Sequence, residues 1–207
     1  MKLLELFKGT GSVGKVAKKM GMDVVSLDLD PYYTPDIETD ILVWDYKKWA
    51  RETGFVPDFI WASPPCNTFS PLAYPLKERN TKNAKPLSKR AKIGTAILHR
   101  TLDIIKYFQR KNPKLLYAIE NPRGMMRLDG RLQSEVPYRE TTLYCLFGDQ
   151  RKKPTDFFTN IELGLPAPPE HKCLNKTVSV VDLPLDKRYE IPAKLIKVIL
   201  TAMINSY

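Results

Sequence analysis

No apolar run in the sequence approaches the roughly 20 residues a membrane-spanning helix needs. The chain enters a strand pattern at Lys2 without the layout of a signal peptide. A soluble, intracellular chain with no membrane partner is expected. Cysteine is scarce, and the odd set Cys66, Cys145 and Cys173 is widely spaced. That argues against a disulfide framework, leaves no C-x-x-C metal pair, and frees at least one thiol for work. His171 and Cys173 in "EHKC" are two potential zinc ligands, too few for a site, so no metal is expected. Internal repeats and low-complexity tracts are missing as well. Acidic residues are outnumbered, 23 against 33 Lys and Arg, for a net charge of +10. This excess favours a polyanionic partner without separating nucleic acid from acidic membrane.

What is present suits one domain: 207 residues, 43% hydrophobic, can bury a proper core but would cramp a second one. The first half alternates short apolar strands with helical patterns, which implies an α/β fold with parallel strands joined by helical crossovers. The expected strands are Lys2–Phe7, Asp23–Asp28, a short one near Asp36–Ile41, Asp58–Ala62 and Lys114–Glu120. Expected helices cover Val13–Met20, stopped by Gly21, Trp44–Glu52, ended by Gly54, and Ala91–Arg110. In the last, Ile97, Thr101, Ile104, Ile105 and Phe108 recur at three- and four-residue steps and form the stripe that lies on a sheet. Beyond Glu120, "RETTLYCLFG" and "PTDFFTN" look like an antiparallel pair at the sheet edge. Residues 161–190 are rich in proline and charge and are expected to be irregular, and "IPAKLIKVILTAMI" closes the chain as an amphipathic helix.

The loop "GTGSVGK" from Gly9 matches two nucleotide motifs by letter. The phosphate-loop reading needs a hydroxyl after the lysine to hold magnesium, and Val16 cannot supply it. A dinucleotide reading needs an acidic residue about 20 residues on, and Asp28 qualifies. The same carboxylate would equally grip the ribose of S-adenosylmethionine, so this loop does not choose between the two, and a plain tight turn before a helix fits it as well. The other strand ends carry more information, because in open α/β sheets they converge on one crevice. Asp28, Leu29 and Asp30 follow the second strand. Asp40 and Ile41 mark the third, where an acidic group can reach an adenine amino group. "SPPC", Ser63–Cys66, follows the fourth, and "ENPRG", Glu120–Gly124, the fifth.

Two prolines stiffen the corner that presents Cys66, a candidate nucleophile whose thiolate a basic neighbouring loop would favour. Glu120 ends an apolar strand where its carboxyl can donate a proton. Together these residues resemble the DNA cytosine-5 methyltransferase family. The cofactor loop of that family matches "FKGTGS", its Pro-Pro-Cys matches Pro64–Cys66, and its Glu-Asn matches Glu120–Asn121, in the same order and at corresponding strands. The closing helix is similar too, and the chain looks most like the short members encoded by phages and other viruses.

That resemblance implies a Rossmann-like S-adenosylmethionine-dependent methyltransferase fold, mostly parallel with an antiparallel edge and helices on both faces. It implies Phe7, Gly9, Thr10, Gly11, Ser12, Asp28, Leu29, Asp40, Ile41, Ser63 and Pro64 as cofactor residues. Cys66 becomes the nucleophile, with Glu120 and Asn121 on the base. The family's glutamine-arginine motif has its nearest equivalent in Gln150 and Arg151. Pro122 stands where the family usually has valine, which removes a backbone donor. Larger relatives insert a recognition domain before the last helix, whereas only about 30 residues separate Asn160 from Ile191. Specificity is then short or loose, or delegated to a protein partner, and the enzyme is expected to be monomeric and cytoplasmic.

The loop Asn67–Lys92 carries Lys77, Arg79, Lys82, Lys85, Lys89, Arg90 and Lys92 against the single acid Glu78. With Arg123 it is a candidate surface for a nucleic-acid backbone, and Phe69 and Tyr74 could stack on bases. Three rivals remain: the same chemistry on RNA, transfer to an exocyclic amino group, and a catalytically silent nucleic-acid-binding module. Cys66 argues against the second, whose enzymes carry an aromatic residue there.

Overall fold

The computed structural model describes residues 1–168, 173 and 178–207. Seven strands form one sheet: β1 (Lys2–Leu6), β2 (Asp23–Asp28), β3 (Ile37–Glu38), β4 (Phe59–Ala62), β5 (Leu116–Pro122), β6 (Tyr138–Leu143) and β7 (Pro154–Thr159). Their order is β3-β2-β1-β4-β5-β7-β6. The first five run parallel, while β7 pairs antiparallel with β5 and β6 antiparallel with β7. The expected edge pair is present, with β6 outermost. The chain builds outward from β1 to β3 and then returns to lay β4 on the other side of β1. This reversal opens a crevice at the carboxyl ends of β1 and β4, the usual ligand position in such sheets.

Strand alternation divides the core in two. Leu4 and Leu6 with Ile60 and Ala62 face the helices α2 (Tyr46–Thr53) and α3 (Lys89–Lys111). Leu3 with Phe59 and Trp61 faces α1 (Ser12–Lys19) and the closing helix α6 (Ala193–Ser206). Glu5 shares the α1 face by the same alternation and is buried there.

Caps refine the expected helix limits. Asp45 Oδ1 accepts from the Lys48 amide at 2.9 Å, so α2 starts at Tyr46 rather than Trp44. Ser88 Oγ accepts from the Ala91 amide at 3.0 Å, and α3 gains two residues ahead of Ala91. Two short helices were not anticipated: α4 (Gly130–Glu135) and α5 (Leu185–Tyr189). Both are too short to show periodicity, and α5 with the 3-10 turn Val180–Asp182 gives order to part of the segment read as irregular. "RETTLYCLFG" is only half a strand. After Leu143 it becomes a 3-10 turn, Tyr144–Phe147, because Tyr144 and Phe147 leave the sheet to pack in the α6 core.

The cysteine reading needs correction. Cys145 and Cys173 are joined as a disulfide, with Cα atoms 5.5 Å apart. Separation along the chain does not restrict separation in space, and the return of the segment after β7 brings Cys173 to a half-buried Cys145. Cys66 is the free thiol. His171 lies outside the described residues. No helix among them is long and apolar enough to cross a membrane.

Candidate active site

At the end of β1 the backbone turns through the left-handed region, at Phe7 (φ 64°), Gly9 (φ 47°) and Gly11 (φ 68°). For glycine this costs little, whereas Phe7 holds the conformation with a side chain attached. The Gly9 amide donates to Asp28 Oδ2 at 2.8 Å, and the Asp30 amide to Asp28 Oδ1 at 3.0 Å. Asp28 thereby ties the end of β2 to the glycine loop. At Gly14 a Cβ would lie 2.5 Å from Glu5 Oε2, so only glycine lets α1 settle over the buried carboxyl.

The end of β4 is a rigid corner. The Cys66 carbonyl accepts from the amides of Phe69 and Ser70, both at 2.9 Å, closing a turn directly behind the thiol. Asn121 Nδ2 donates to the Pro64 carbonyl at 2.8 Å, joining this corner to the end of β5. Glu120 is buried beside it, and Tyr144 Oη donates to Glu120 Oε1 at 3.1 Å. Complete burial holds the Tyr144 phenol well above its ordinary pKa, which keeps it a neutral donor.

A cavity of about 230 Å³ joins these ends. Phe7, Gly9, Thr10, Ser12 and Asp28 line one side. Ser63, Pro64, Cys66, Glu120 and Asn121 line the other. Four residues expected to hold a cofactor do not line it. Gly11 is the N-cap of α1, Leu29 is exposed to solvent, Ile41 is core, and Asp40 Oδ1 accepts from the Leu42 amide at 2.9 Å.

The electrostatics around Cys66 differ from expectation. Burial pushes the thiol above its ordinary pKa, Glu120 adds to the rise, and Lys153 opposes it. The offsetting cation is the residue just before β7, not one from the basic loop. Lys153, Tyr189 and Glu5 also line the cavity and were missed in the sequence. A signal existed for Glu5, an acid inside the apolar run "LLELF". Burial lifts its pKa to about 7, and its Oε2 has no hydrogen-bond partner among the described residues.

Two arginines are not where sequence reasoning put them. Arg79 is 3% exposed, and its guanidinium donates to Thr68 Oγ1 (3.0 Å), Thr95 Oγ1 (2.8 Å) and the carbonyls of Ala84 (3.1 Å) and Ala91 (2.7 Å). It stacks 3.6 Å from the ring centroid of Phe69, itself fully buried rather than available to a base. Burial pulls Arg79 down to about 10, so it remains charged near neutrality. It braces the loop instead of facing a phosphate. Arg151 is buried too, paired with Asp149, hydrogen-bonded to the Lys187 and Arg188 carbonyls, and 5.1 Å from the Tyr144 ring centroid. It clamps the end of α5 and does not line the cavity; Gln150 is exposed next to it. Arg90 is held by Glu78 at 2.8 Å. Lys77, Lys82, Lys85, Lys89, Lys92, Tyr74 and Arg123 remain exposed.

No protein-family model matches the chain. A protein of Frog virus 3 (isolate Goorha) named "Probable DNA (cytosine-5)-methyltransferase" is 34% identical over 170 residues, covering 80% of this chain and 73% of that protein. This chain belongs to the DNA (cytosine-5)-methyltransferase family. Two solved structures share its fold. The S. pombe Dnmt2 methyltransferase has a TM-score of 0.54 at 15% identity, over 89% of this chain and 61% of that one. The Entamoeba histolytica methyltransferase EhMeth has a TM-score of 0.55 at 14% identity, over 88% and 59%. This member of the family thus spans about three fifths of the length of those two solved structures. Its sheet is the Rossmann-like sheet of a methyltransferase, and the motifs Pro64–Cys66 and Glu120–Asn121 meet at its switch point.

Proposed function

We propose that this chain transfers a methyl group from S-adenosylmethionine to carbon 5 of cytosine in DNA, through a covalent adduct on Cys66, with the target base flipped out or unpaired. The observation that carries this reading is the shared cavity: Cys66, Glu120 and Asn121 line one side and the glycine loop with Asp28 the other. The cofactor fits the residues present. Glycine at position 9 leaves the backbone open to close approach, and Asp28 is an acceptor for ribose hydroxyls. When bound, the cofactor supplies an electrophilic methyl group.

Carbon 5 of cytosine becomes nucleophilic once a thiolate adds at carbon 6. Cys66 Sγ, released from its proton, would form that bond and send the ring electrons toward carbon 5. Glu120 would donate a proton or hydrogen bond to ring nitrogen 3, removing the charge that addition builds up. The hydrogen bond from Tyr144 orients the Glu120 carboxyl. Asn121 orients the base and, through Pro64, keeps the thiol in place. After carbon 5 has gained its methyl, nitrogen 3 would return its proton to Glu120, and loss of the carbon-5 proton to a base would restore the ring double bond and expel Cys66 as thiolate. The ring face is covered inside a duplex, so the base must leave the stack.

The test is tritiated methyl transfer to DNA and to RNA, with the product mapped at base resolution. Expected is 5-methylcytosine in DNA from wild type and none from Cys66→Ala. Label confined to RNA, label on an exocyclic nitrogen, or undiminished transfer by Cys66→Ala would each overturn the reading.

A further inference from the structure

A second cavity, about 390 Å³, opens beside the first and shares Cys66, Asn67, Pro122, Lys153 and Tyr189 with it. One wall is the 3-10 turn Pro71–Leu76, which follows the Cys66 corner, and the other is the segment 179–189. Large apolar side chains face solvent on both: Leu72 is 63% exposed and Leu76 59%, opposite Val181 at 48% and Leu185 at 56%. These four side chains put apolar surface on both sides of the cavity, where a ligand with an apolar face can cover it. Arg188 fixes the second wall by donating to the carbonyls of Leu183 (2.8 Å) and Val181 (2.7 Å). The rim carries Arg123, Lys152 and Lys153, and no carboxylate occurs among the described residues that line the cavity.

Apolar walls with a purely cationic rim fit an unstacked nucleotide, its base between Leu72 and Leu185 with the ring of Tyr189 beside it, and its phosphate on the rim. Pockets that hold one small ligand are about 300–1,000 Å³, so there is room for a base. A duplex buries its base faces in the stack and offers only edges and backbone, which leaves these walls unfilled. On the reading of the function given above, the nucleotide that reaches this cavity is a neighbour of the target on the same strand. We infer that the groove between Pro71–Leu76 and residues 179–189 holds that flanking nucleotide, and that the protein therefore prefers unpaired DNA to duplex DNA.

The experiment uses the full chain as Cys66→Ala, which separates binding from turnover. Anisotropy at one fixed salt concentration compares a labelled single-stranded oligodeoxynucleotide, its duplex, and a single strand with abasic sites on both sides of the cytosine. Binding to the single strand should exceed binding to the duplex by roughly tenfold, and the abasic strand should lose about that factor, equivalent to about 1.4 kcal/mol. Adding Leu72→Ser and Leu185→Ser, both at exposed positions, should remove the preference. Equal or tighter binding of duplex, abasic strand held as tightly as intact strand, or a preference that survives the two substitutions would each overturn the inference. Wild-type transfer, measured alongside, reports on the methyltransferase reading separately: single-strand preference without transfer keeps the groove and sinks the reading, and transfer without preference does the reverse.

Discussion

Asn121 Nδ2 donates to the Pro64 carbonyl at 2.8 Å, so a side chain of the Glu-Asn motif holds the backbone of the Pro-Pro-Cys motif. The contact spans 57 residues and both partners are buried. Asn121→Ala leaves the Pro64 carbonyl without its donor, which costs about 1–3 kcal/mol. Scanning calorimetry should show a lower Tm, and kcat should fall with little change in KM for DNA. An unchanged Tm would mean the contact is not formed in solution.

Arg79 and the exposed lysines of the same loop should separate cleanly. Arg79→Met keeps the aliphatic stem but strips donors from two hydroxyls and two carbonyls, and unfolding should become easier by about 2–4 kcal/mol. Lys82→Ala and Lys85→Ala should leave stability within about 0.5 kcal/mol and lower the salt dependence of DNA binding, by roughly one unit of slope for each phosphate no longer neutralised. If Arg79→Met instead keeps its Tm and flattens the salt dependence, Arg79 reaches the phosphate backbone after all.

Glu5 ties stability to pH. Its carboxyl titrates near 4.5 in an exposed state and near 7 when buried, raised chiefly by desolvation against the opposing pull of the Gly14 amide, Lys8 and Lys18. The folded state holds the proton more tightly, so this contribution is complete below about pH 4.5 and is lost as pH rises through 7. The loss is on the order of 3 kcal/mol. Glu5→Gln cannot ionise, and its urea-unfolding free energy should decline less than that of wild type between pH 5 and pH 8. Parallel declines would remove Glu5 as the cause.

Gly124 sits against the turn behind Cys66. A Cβ there would lie 2.3 Å from the Phe69 carbonyl oxygen and 3.1 Å from Ser70 Cα. The same oxygen accepts from the Met125 amide at 2.7 Å, so it has little freedom to retreat. Gly124→Ala should displace the corner that carries the thiol, and a shift of about 1 Å can cost roughly a hundredfold in rate. Single-turnover transfer should slow by at least tenfold, with DNA affinity within about threefold of wild type. Unaltered turnover would show that the turn yields elsewhere.

How far the site could be read in advance depended on the kind of residue. Short apolar runs announce the strands that end at or near Asp28, Cys66 and Glu120, and the residues after each strand meet where the strand order reverses. Glycine-loop residues Gly9, Thr10 and Ser12 line the cavity for that reason. Tyr144 was not singled out, since nothing local indicates that its hydroxyl would find Glu120. Arg79 was assigned to the nucleic-acid surface because it lies in a basic stretch, and Arg151 was matched to a family motif by resemblance. Each instead satisfies backbone carbonyls or a carboxylate that the chain brings to it, and a guanidinium with five donors is well suited to that task.

By itself the sequence determined the parallel sheet, its flanking helices and the strand ends at which the chemistry gathers. Those features rest on local periodicity, capping and turn residues, which act over a few positions. Only the tertiary structure decided that Glu5 is buried without a full set of partners, that Cys145 meets Cys173, that Lys153 rather than the basic loop opposes the rise at Cys66, and that residues 179–189 face Pro71–Leu76 across a groove. Burial and pairing of polar groups depend on segments far apart in the chain, and no local pattern encodes which of them will touch.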